Sequence, residues 1–305
     1  PILSIGARMR VMREPFVKPL LVDDESIFDF AARRLGIHAA ERLIDPFVSG
    51  IFAGDPKELS VHAAFPRLPE MERAHGSLIK AQKAMKKARS KSVDDGQEHA
   101  GPKGRLTSLR FGMGQLIEAL HAKLSAEIQT NARVDRVRYF EDGWVVERES
   151  GDSIDRIDKL IIATPSVATS RILAGLERGF MQPLQGIDYS AVSVVALGFN
   201  ADDIDNALDG FGFLVPAIEE REILGCLWTS SIYPGQRAPD GTKLVRVMVG
   251  GARSPRLALR DDDALLSSVR RELADILGVQ GEPLFTRIIR WTNAIPQYGL
   301  GHLRR

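Results

Sequence analysis

The chain has 305 residues, 44% of them hydrophobic, a formal net charge of +1 and a single cysteine. That length supports a sizeable core in one large domain or two interleaved ones. Near-neutral charge excludes a global basic field for nucleic acid, and lone Cys226 excludes an internal disulfide framework or a Cys-rich metal site. No apolar run approaches the ~20 residues that span a bilayer, and no signal-peptide pattern is visible. Opening on Pro1 and closing on "YGLGHLRR", the sequence reads as a piece of a longer or processed protein.

Residues 1–105 read mostly as helices. "DESIFDFAARRLG" sets Ile27, Phe28, Phe30 and Ala31 close to one face and ends at Gly36, a C-cap residue. "HAAERLIDPFVSG" predicts a second helix that bends or stops near Asp45-Pro46. In "GIFAGDPKELS", Gly50 and Gly54 bracket an apolar bend, and Asp55-Pro56-Lys57-Glu58 predicts a helix start with Asp as N-cap. "PRLPEMERAHGSLIKAQKAMKKARSKS" predicts a short helix and then a longer one, and residues 92–104 read as a polar loop.

The grammar then changes. "RLTSLRFGMGQLIEALHAKLS" is a short extended piece, a glycine turn and an amphipathic helix. "ARVDRVRYFEDGWVVERESGD" alternates around "EDG" as a hairpin does. "IDKLIIATPS" predicts an apolar strand, followed by a helix in "PSVATSRIL". Strand candidates then follow in "SAVSVVALGFN", "GFGFLVP", "EILGCLWTSS", "KLVRVMVGGAR" and "LFTRIIRWTN". The helix "DDDALLSSVRRELADILG" falls between the last two, acidic at its start and ended by Gly278. The fold class is α/β (α+β), with an antiparallel or mixed sheet in the second half.

Gly112-x-Gly114 is an incomplete dinucleotide fingerprint, because Ile117 stands where the third glycine belongs. The six histidines have no metal-ligand spacing, so no metal site is expected; His62 and His75 read as capping or packing residues. Lys80, Lys83, Lys86, Lys87, Arg89 and Lys91 form a basic helix around Leu78, Ile79 and Met85. It suits either anionic lipid or plain solvation. Glycines inside "GFGFLVP" and "VMVGGAR" mark either a bulge or the close approach of a flat apolar ligand.

The runs "DPFVSGIFAGDPKELSVHAAFP", "SLRFGMGQLIEAL", "GFGFLVP", "ILGCLWTSSIYPGQRAPDG", "LVRVMVGGAR" and "IPQYGLGH", in this order, resemble the protoporphyrinogen oxidase family. That family is FAD-dependent and of the flavin amine-oxidase type, and its coproporphyrinogen-oxidising relatives share the fold. The resemblance implies an FAD-linked amine-oxidase-type fold in which residues 1–105 form a helical membrane-binding part. Residues 106–184 would be part of the FAD-binding domain, 185–290 a mixed-sheet substrate domain, and 291–305 a return to the FAD domain. The family's full Gly-x-Gly-x-x-Gly turn, and its arginine against a substrate propionate, fall upstream of Pro1.

Carried over residue by residue, the resemblance implies a substrate pocket at Phe211, Gly212, Leu214, Leu227 and Met248. It implies FAD contacts at Val134, Gly112, Gly114, Ala163, Thr164, Pro165 and Trp291. No catalytic base is named. The implied reaction is oxidation of protoporphyrinogen IX to protoporphyrin IX in haem biosynthesis, with hydride leaving for the flavin and dioxygen reoxidising it. The alternatives are a coproporphyrinogen III oxidase or a non-catalytic, membrane-associated tetrapyrrole-binding fragment. A carotenoid desaturase or amine oxidase is disfavoured by "AGDPKELS" and "GFGFLVP". The implied setting is cytoplasmic with peripheral membrane contact and no nucleic acid, and a homodimer is left open.

Overall fold

The computed structural model describes residues 2–91, 107–124, 126–176 and 181–304. The chain divides into two compact units, one built from 1–104 with 189–305 and the other from 105–188.

The first unit begins with α1 (Ile5–Met12), capped by the Ser4 hydroxyl, and a 3-10 turn at Glu14–Phe16. Helix α2 (Ile27–Leu35) starts at Ser26, whose hydroxyl accepts from Asp29 N–H at 3.0 Å, and ends at Gly36 with φ +97°. A short α3 (Ile37–Ala39) runs through a π turn at Ala40–Ile44 into α4 (Asp45–Phe52). The helix therefore widens at Pro46 rather than stopping. Pro46 has no N–H to donate, and its ring would clash with the carbonyl of the preceding turn; the π turn removes that conflict.

The expected helix start at Asp55 is a correction. Residues 56–58 form a turn in which Asp55 Oδ1 accepts Lys57 N–H at 2.9 Å. Leu59 and Ser60 are then drawn into bridges with Gly299 and Ser26, which ends the helical course. Ser60 instead caps α5 (Val61–Ala64), its hydroxyl accepting Ala63 N–H. Helices α6 (Arg67–His75) and α7 (Leu78–Lys91) follow, joined through Gly76 at φ +68°. The loop expected at 92–104 lies outside the described residues.

The second unit holds α8 (Gly114–Lys123), strands β1 (Val134–Phe140), β2 (Gly143–Arg148) and β3 (Ser153–Ile157), and helices α9 (Ser166–Ile172) and α10 (Met181–Gln185). The three strands pair antiparallel in chain order. The strand expected in "IDKLIIATPS" is also corrected. Residues 160–163 have no strand partner among the described residues, Ile161 is 91% exposed, and the third strand is the preceding Ser153–Ile157.

The chain then returns to the first unit as β4 (Tyr189–Asn200), β5 (Gly212–Leu214), β6 (Gly225–Leu227), α11 (Thr229–Ile232), β7 (Thr242–Gly250), α12 (Pro255–Ala258), α13 (Asp262–Leu277) and β8 (Phe285–Pro296). The sheet order is β5-β6-β7-β4-β8, and every pairing among the described residues is antiparallel. Period-2 alternation sends Val195, Leu197, Phe199, Val245, Val247 and Val249 to one face, where they bury against Leu265, Val269, Leu273 and Leu277 of α13. Each such side chain contributes about 1.5–3 kcal/mol by leaving water.

The helices are tied to the sheet by a few polar locks. Asp45, 4% exposed, pairs with Arg253 and accepts Ala217 N–H at 2.8 Å. Asp24 accepts Ser60 Oγ–H and Gly301 N–H and faces His62 Nδ1 at 3.6 Å. Burial alone would raise the Asp24 pKa, but those hydrogen bonds and His62 outweigh it and hold the carboxyl below its ordinary value.

Candidate functional site

With one sheet face given to α13, alternation leaves the other to Leu214, Leu227, Arg246, Met248, Val194, Ala196, Arg287, Ile289 and Trp291. The register sorts them into rows. Met248 and Ile289 flank Val194, and Gly225 sets Leu214 beside Met248. One row along, Leu227 stands opposite Arg246, and Arg246 and Arg287 flank Ala196. Leu214 and Trp291 remain 38% and 46% exposed, so the face is an open apolar surface and not a second core.

Three local features shape this face. The first is Gly50 on α4: a Cβ there would stand 2.6 Å from Leu214 Cδ2, so any larger residue would have to displace the Leu214 side chain from its present place. The bend that follows is fixed by Gln297, whose amide donates to Phe52 O at 3.0 Å, and by Tyr298 packed edge-on to Phe52. The second is Gly212, at φ +141°, where a Cβ would stand 2.1 Å from Cys226 O; it holds β5 tight on β6. The third is a bulge. Between the pairs Val192↔Trp291 and Ser190↔Ile295, β8 advances four residues while β4 advances two, which bends the strand just past Trp291.

Arg246 is the polar anchor of the face. Its Nε donates to Thr229 Oγ1 at 3.0 Å. Neither Arg246 nor Arg287 forms an ion pair with a carboxylate among the described residues, in contrast to Arg260, held bidentate by Glu222 at 2.7 and 2.9 Å. Cys226 lies on the opposite, core side of β6; burial pushes its thiol up to about 12, so it is not a nucleophile at neutral pH.

The second unit has its own cavity, of about 590 Å³, walled by Val134, Val137, Val146, Ala163, Thr164 and Ile172 among others. Strand β1 is an edge strand. Arg133 C=O points inward to Glu149 N–H at 3.0 Å, so alternation turns the Val134 N–H and C=O outward, open to a planar ligand that offers both a donor and an acceptor. These residues fit one end of a dinucleotide: an adenine rim at the Val134 backbone with apolar walls around it.

Of the residues expected from sequence, the structure brings Val134, Ala163 and Thr164 around that cavity, with Pro165 next in line as the N-cap residue of α9. Leu214, Leu227, Met248 and Trp291 share the sheet face in the first unit, with Gly212 as its spacer. Phe211 stands just before β5, 53% exposed, with its C=O accepting Trp228 N–H at 2.9 Å. Gly112 and Gly114 lead into α8 with open space around both, and they are not part of the cavity wall. His62 faces Asp24, and no group of three or more His, Cys, Asp or Glu side chains placed to hold a metal ion occurs among the described residues. Arg246 and Arg287 escape a motif-based reading, yet the alternations Arg246-x-Met248 and Arg287-x-Ile289-x-Trp291 put them on the same sheet face as those apolar residues.

Comparison with known proteins places this arrangement. The family profile described as flavin containing amine oxidoreductase matches residues 3–305. The chain belongs to that family. Among curated relatives, the coproporphyrinogen III oxidase of Bacillus subtilis (strain 168) is 30% identical over 285 residues, covering 93% of this chain and 59% of that protein. The chloroplastic protoporphyrinogen oxidase of Nicotiana tabacum is 31% identical over 294 residues, covering 92% of this chain and 54% of that protein. The chain thus spans between half and two thirds of the length of these relatives. Among solved structures, one from Exiguobacterium sp. 255-15, assigned as a protoporphyrinogen oxidase, superposes with a TM-score of 0.78 at 22% identity. It covers 99% of this chain and 63% of that one. A putrescine oxidase variant superposes at 0.67 and 15% identity, covering 99% of this chain and 67% of its own. These likenesses establish the FAD-linked amine-oxidase-type fold, in a mixed helix-and-sheet chain.

Proposed function

We propose that the whole protein carrying this chain oxidises a porphyrinogen to the corresponding porphyrin, with FAD as cofactor and dioxygen as the final acceptor. The sheet face carries this reading. Leu214, Leu227, Met248 and Trp291 present an apolar wall with cations at one side, which suits a large apolar ring bearing acidic substituents. Protoporphyrinogen IX, leading to protoporphyrin IX and haem, is the first reading of the substrate. Coproporphyrinogen III is the second, favoured by the names of the Bacillus subtilis and Staphylococcus aureus relatives.

In this reading residues 185–296 bind substrate, because β8 runs unbroken past the boundary expected at 290 and carries Trp291, expected as a flavin contact, on the substrate wall; residues 106–184 and 297–305 contribute to the flavin domain, and residues 1–105 face the membrane. FAD, when bound, supplies hydride acceptance from a saturated ring carbon and reoxidation by dioxygen. Val134, Ala163 and Thr164 hold its adenine end. The wall fixes the plane of the ring, and Gly50 sets the depth to which Leu214 enters. Among the described residues, the ionisable groups at the paired positions of that face are Arg246 and Arg287, which do not deprotonate. The face therefore binds and orients substrate without acting as a base.

Peripheral lipid contact draws support from a surface that begins at α1. Ile5, Met9, Met12 and Phe16 recur at helical spacing and are 78%, 55%, 73% and 85% exposed, with Arg8, Arg13 and Lys18 beside them. Helix α7 adds Lys80, Lys83, Lys86 and Lys87, all exposed. No helix among the described residues is long and apolar enough to cross a membrane.

The test is porphyrin fluorescence appearing when the purified flavoprotein receives each porphyrinogen. Leu227→Ala and Met248→Ala should raise KM several-fold with flavin content retained. An unchanged KM in both variants would move the pocket off this face. Porphyrin binding with no turnover in a flavin-loaded sample would instead favour the non-catalytic binder.

A further inference from the structure

We infer that the sheet carries a second ligand site beyond Arg246 and Arg287, a trough that takes an amphiphilic carboxylate of the fatty-acid class. It is separate from the porphyrinogen wall, and it stands whether or not the porphyrinogen reading does.

The strand register places it. Gly198 on β4 lies between Leu244 of β7 and Phe285 of β8. That row is two residues, about 7 Å, along the strands from the row Arg246–Ala196–Arg287. Gly198 brings no side chain, so the floor is backbone between two apolar side chains. It crosses three strands, about 10 Å. Leu284 and the turn at 237–239 complete a cavity of about 450 Å³, a volume within the range of small-molecule sites. Leu284 and Phe285 are 61% and 50% exposed, so the trough is open. The turn is fixed in advance. Thr242 donates to Pro239 C=O through both its N–H, at 3.1 Å, and its hydroxyl, at 2.7 Å. Gly241 C=O accepts Ala201 N–H at 2.9 Å, which ties the turn to the end of β4.

Charge then selects the class of ligand. No carboxylate lines the cavity among the described residues, whereas Arg237 and Lys243 both do. Lys243 is engaged elsewhere, its Nζ donating to Asn206 C=O at 3.1 Å. Arg237 stacks over Tyr233 with its guanidinium 5.2 Å from the ring centroid, a contact that holds a cation without neutralising it. Arg246 and Arg287 continue the positive side one row further along. An apolar trough beside a guanidinium favours a ligand with both characters. Its carboxylate matches the guanidinium fork, and its alkyl chain leaves water along Leu244, Leu284 and Phe285.

The experiment titrates the whole flavoprotein with monomeric decanoate by calorimetry, with 1-decanol and decyltrimethylammonium as comparators of the same chain length. Leu284→Asp, Arg237→Gln and Arg237→Lys are the variants, each checked for retained flavin content and unfolding temperature. Leu284 is largely exposed, so its substitution leaves the fold intact. Decanoate should saturate one site and bind several-fold tighter than either comparator. Leu284→Asp should weaken it about tenfold or more, by removing apolar contact and adding a like charge. Arg237→Gln should weaken decanoate several-fold and leave decanol unchanged, and Arg237→Lys should restore part of the loss. Absence of saturable decanoate binding overturns the inference, and so does decanol binding as tightly as decanoate. Decanoate lying on the porphyrinogen wall instead would be indifferent to Leu284→Asp and Arg237→Gln, so an unchanged affinity in either variant also overturns it.

Discussion

Glu14 is the perturbation with the largest expected consequence for the helical part. It lies in the 3-10 turn after α1, is 0% exposed, and accepts from Arg34, from Ser77 Oγ–H, and from the Leu78 and Ile79 amides at 2.9 and 3.2 Å. It thus caps α7 and neutralises Arg34, which is also fully buried. Glu72 assists Arg34 at 3.1 Å while also pairing with Arg33. Glu14→Ala leaves one buried cation short of its partner and three donors without an acceptor. Breaking a buried pair this way costs about 3–5 kcal/mol.

The loss is local, so the assay is hydrogen exchange at the Leu78 and Ile79 amides alongside thermal unfolding. Exchange there should rise about a hundredfold to a few thousandfold if opening of this corner becomes easier by that amount. Replacing the pair together, Glu14→Leu with Arg34→Met, should recover most of the loss, because no buried charge is then left alone. A single-variant cost under about 1 kcal/mol would refute the reasoning, since burial and partner count would then not set the penalty. The sign with pH follows from the same contacts. Burial alone would raise the Glu14 pKa, but the bonds from Ser77, Leu78, Arg34 and Ile79 hold it below 4.5. Its contribution is therefore complete above pH 4.5 and fades as pH falls through the lowered value.

A second titration is expected where β6 meets α13: Arg260 and Ser268 pull Glu222 down to about 2, so its contribution should fade between pH 4.5 and about 2, and Glu222→Gln should flatten the stability profile in that window. Gly50→Ala should raise or preserve stability, since an interior helical glycine costs roughly 0.5–1 kcal/mol relative to alanine. The new Cβ would at the same time push Leu214 outward and weaken porphyrin binding several-fold, read by fluorescence titration. Phe16→Asp with Met12→Asp should reduce pelleting with anionic vesicles more than charge reversal of Lys83, Lys86 and Lys87; the opposite order would move the lipid contact to α7.

Much of the fold is legible in the sequence where a local rule decides it. Ser26, Gly76, Asp261 and Gly278 cap helices as their chemistry dictates, and the period-2 pattern marks β4, β7 and β8. The failures are places where a distant partner outweighs the local signal. Asp55-Pro56 reads as a helix start, but Leu59 and Ser60 bond to segments 240 and 34 residues away through Gly299 and Ser26. "LIIA" reads as a strand, but a strand exists only by pairing, and none of the described residues pairs with it. The candidate site divides the same way. Leu214, Leu227 and Met248 are suggested by family resemblance, but their common face follows from strand register, which the sequence does not display. Arg246 and Arg287 belong to no motif; they come to flank Ala196 only because β4 lies between β7 and β8.

The central claim is that the whole protein uses its flavin to take hydride from a porphyrinogen. The most direct measurement is anaerobic mixing of the purified flavoprotein with each porphyrinogen while the flavin absorbance is followed. Bleaching of the oxidised flavin band with porphyrin formed in step, and return of the band when air is admitted, is the predicted result. A flavin that stays oxidised with both porphyrinogens and bleaches with an amine would contradict it.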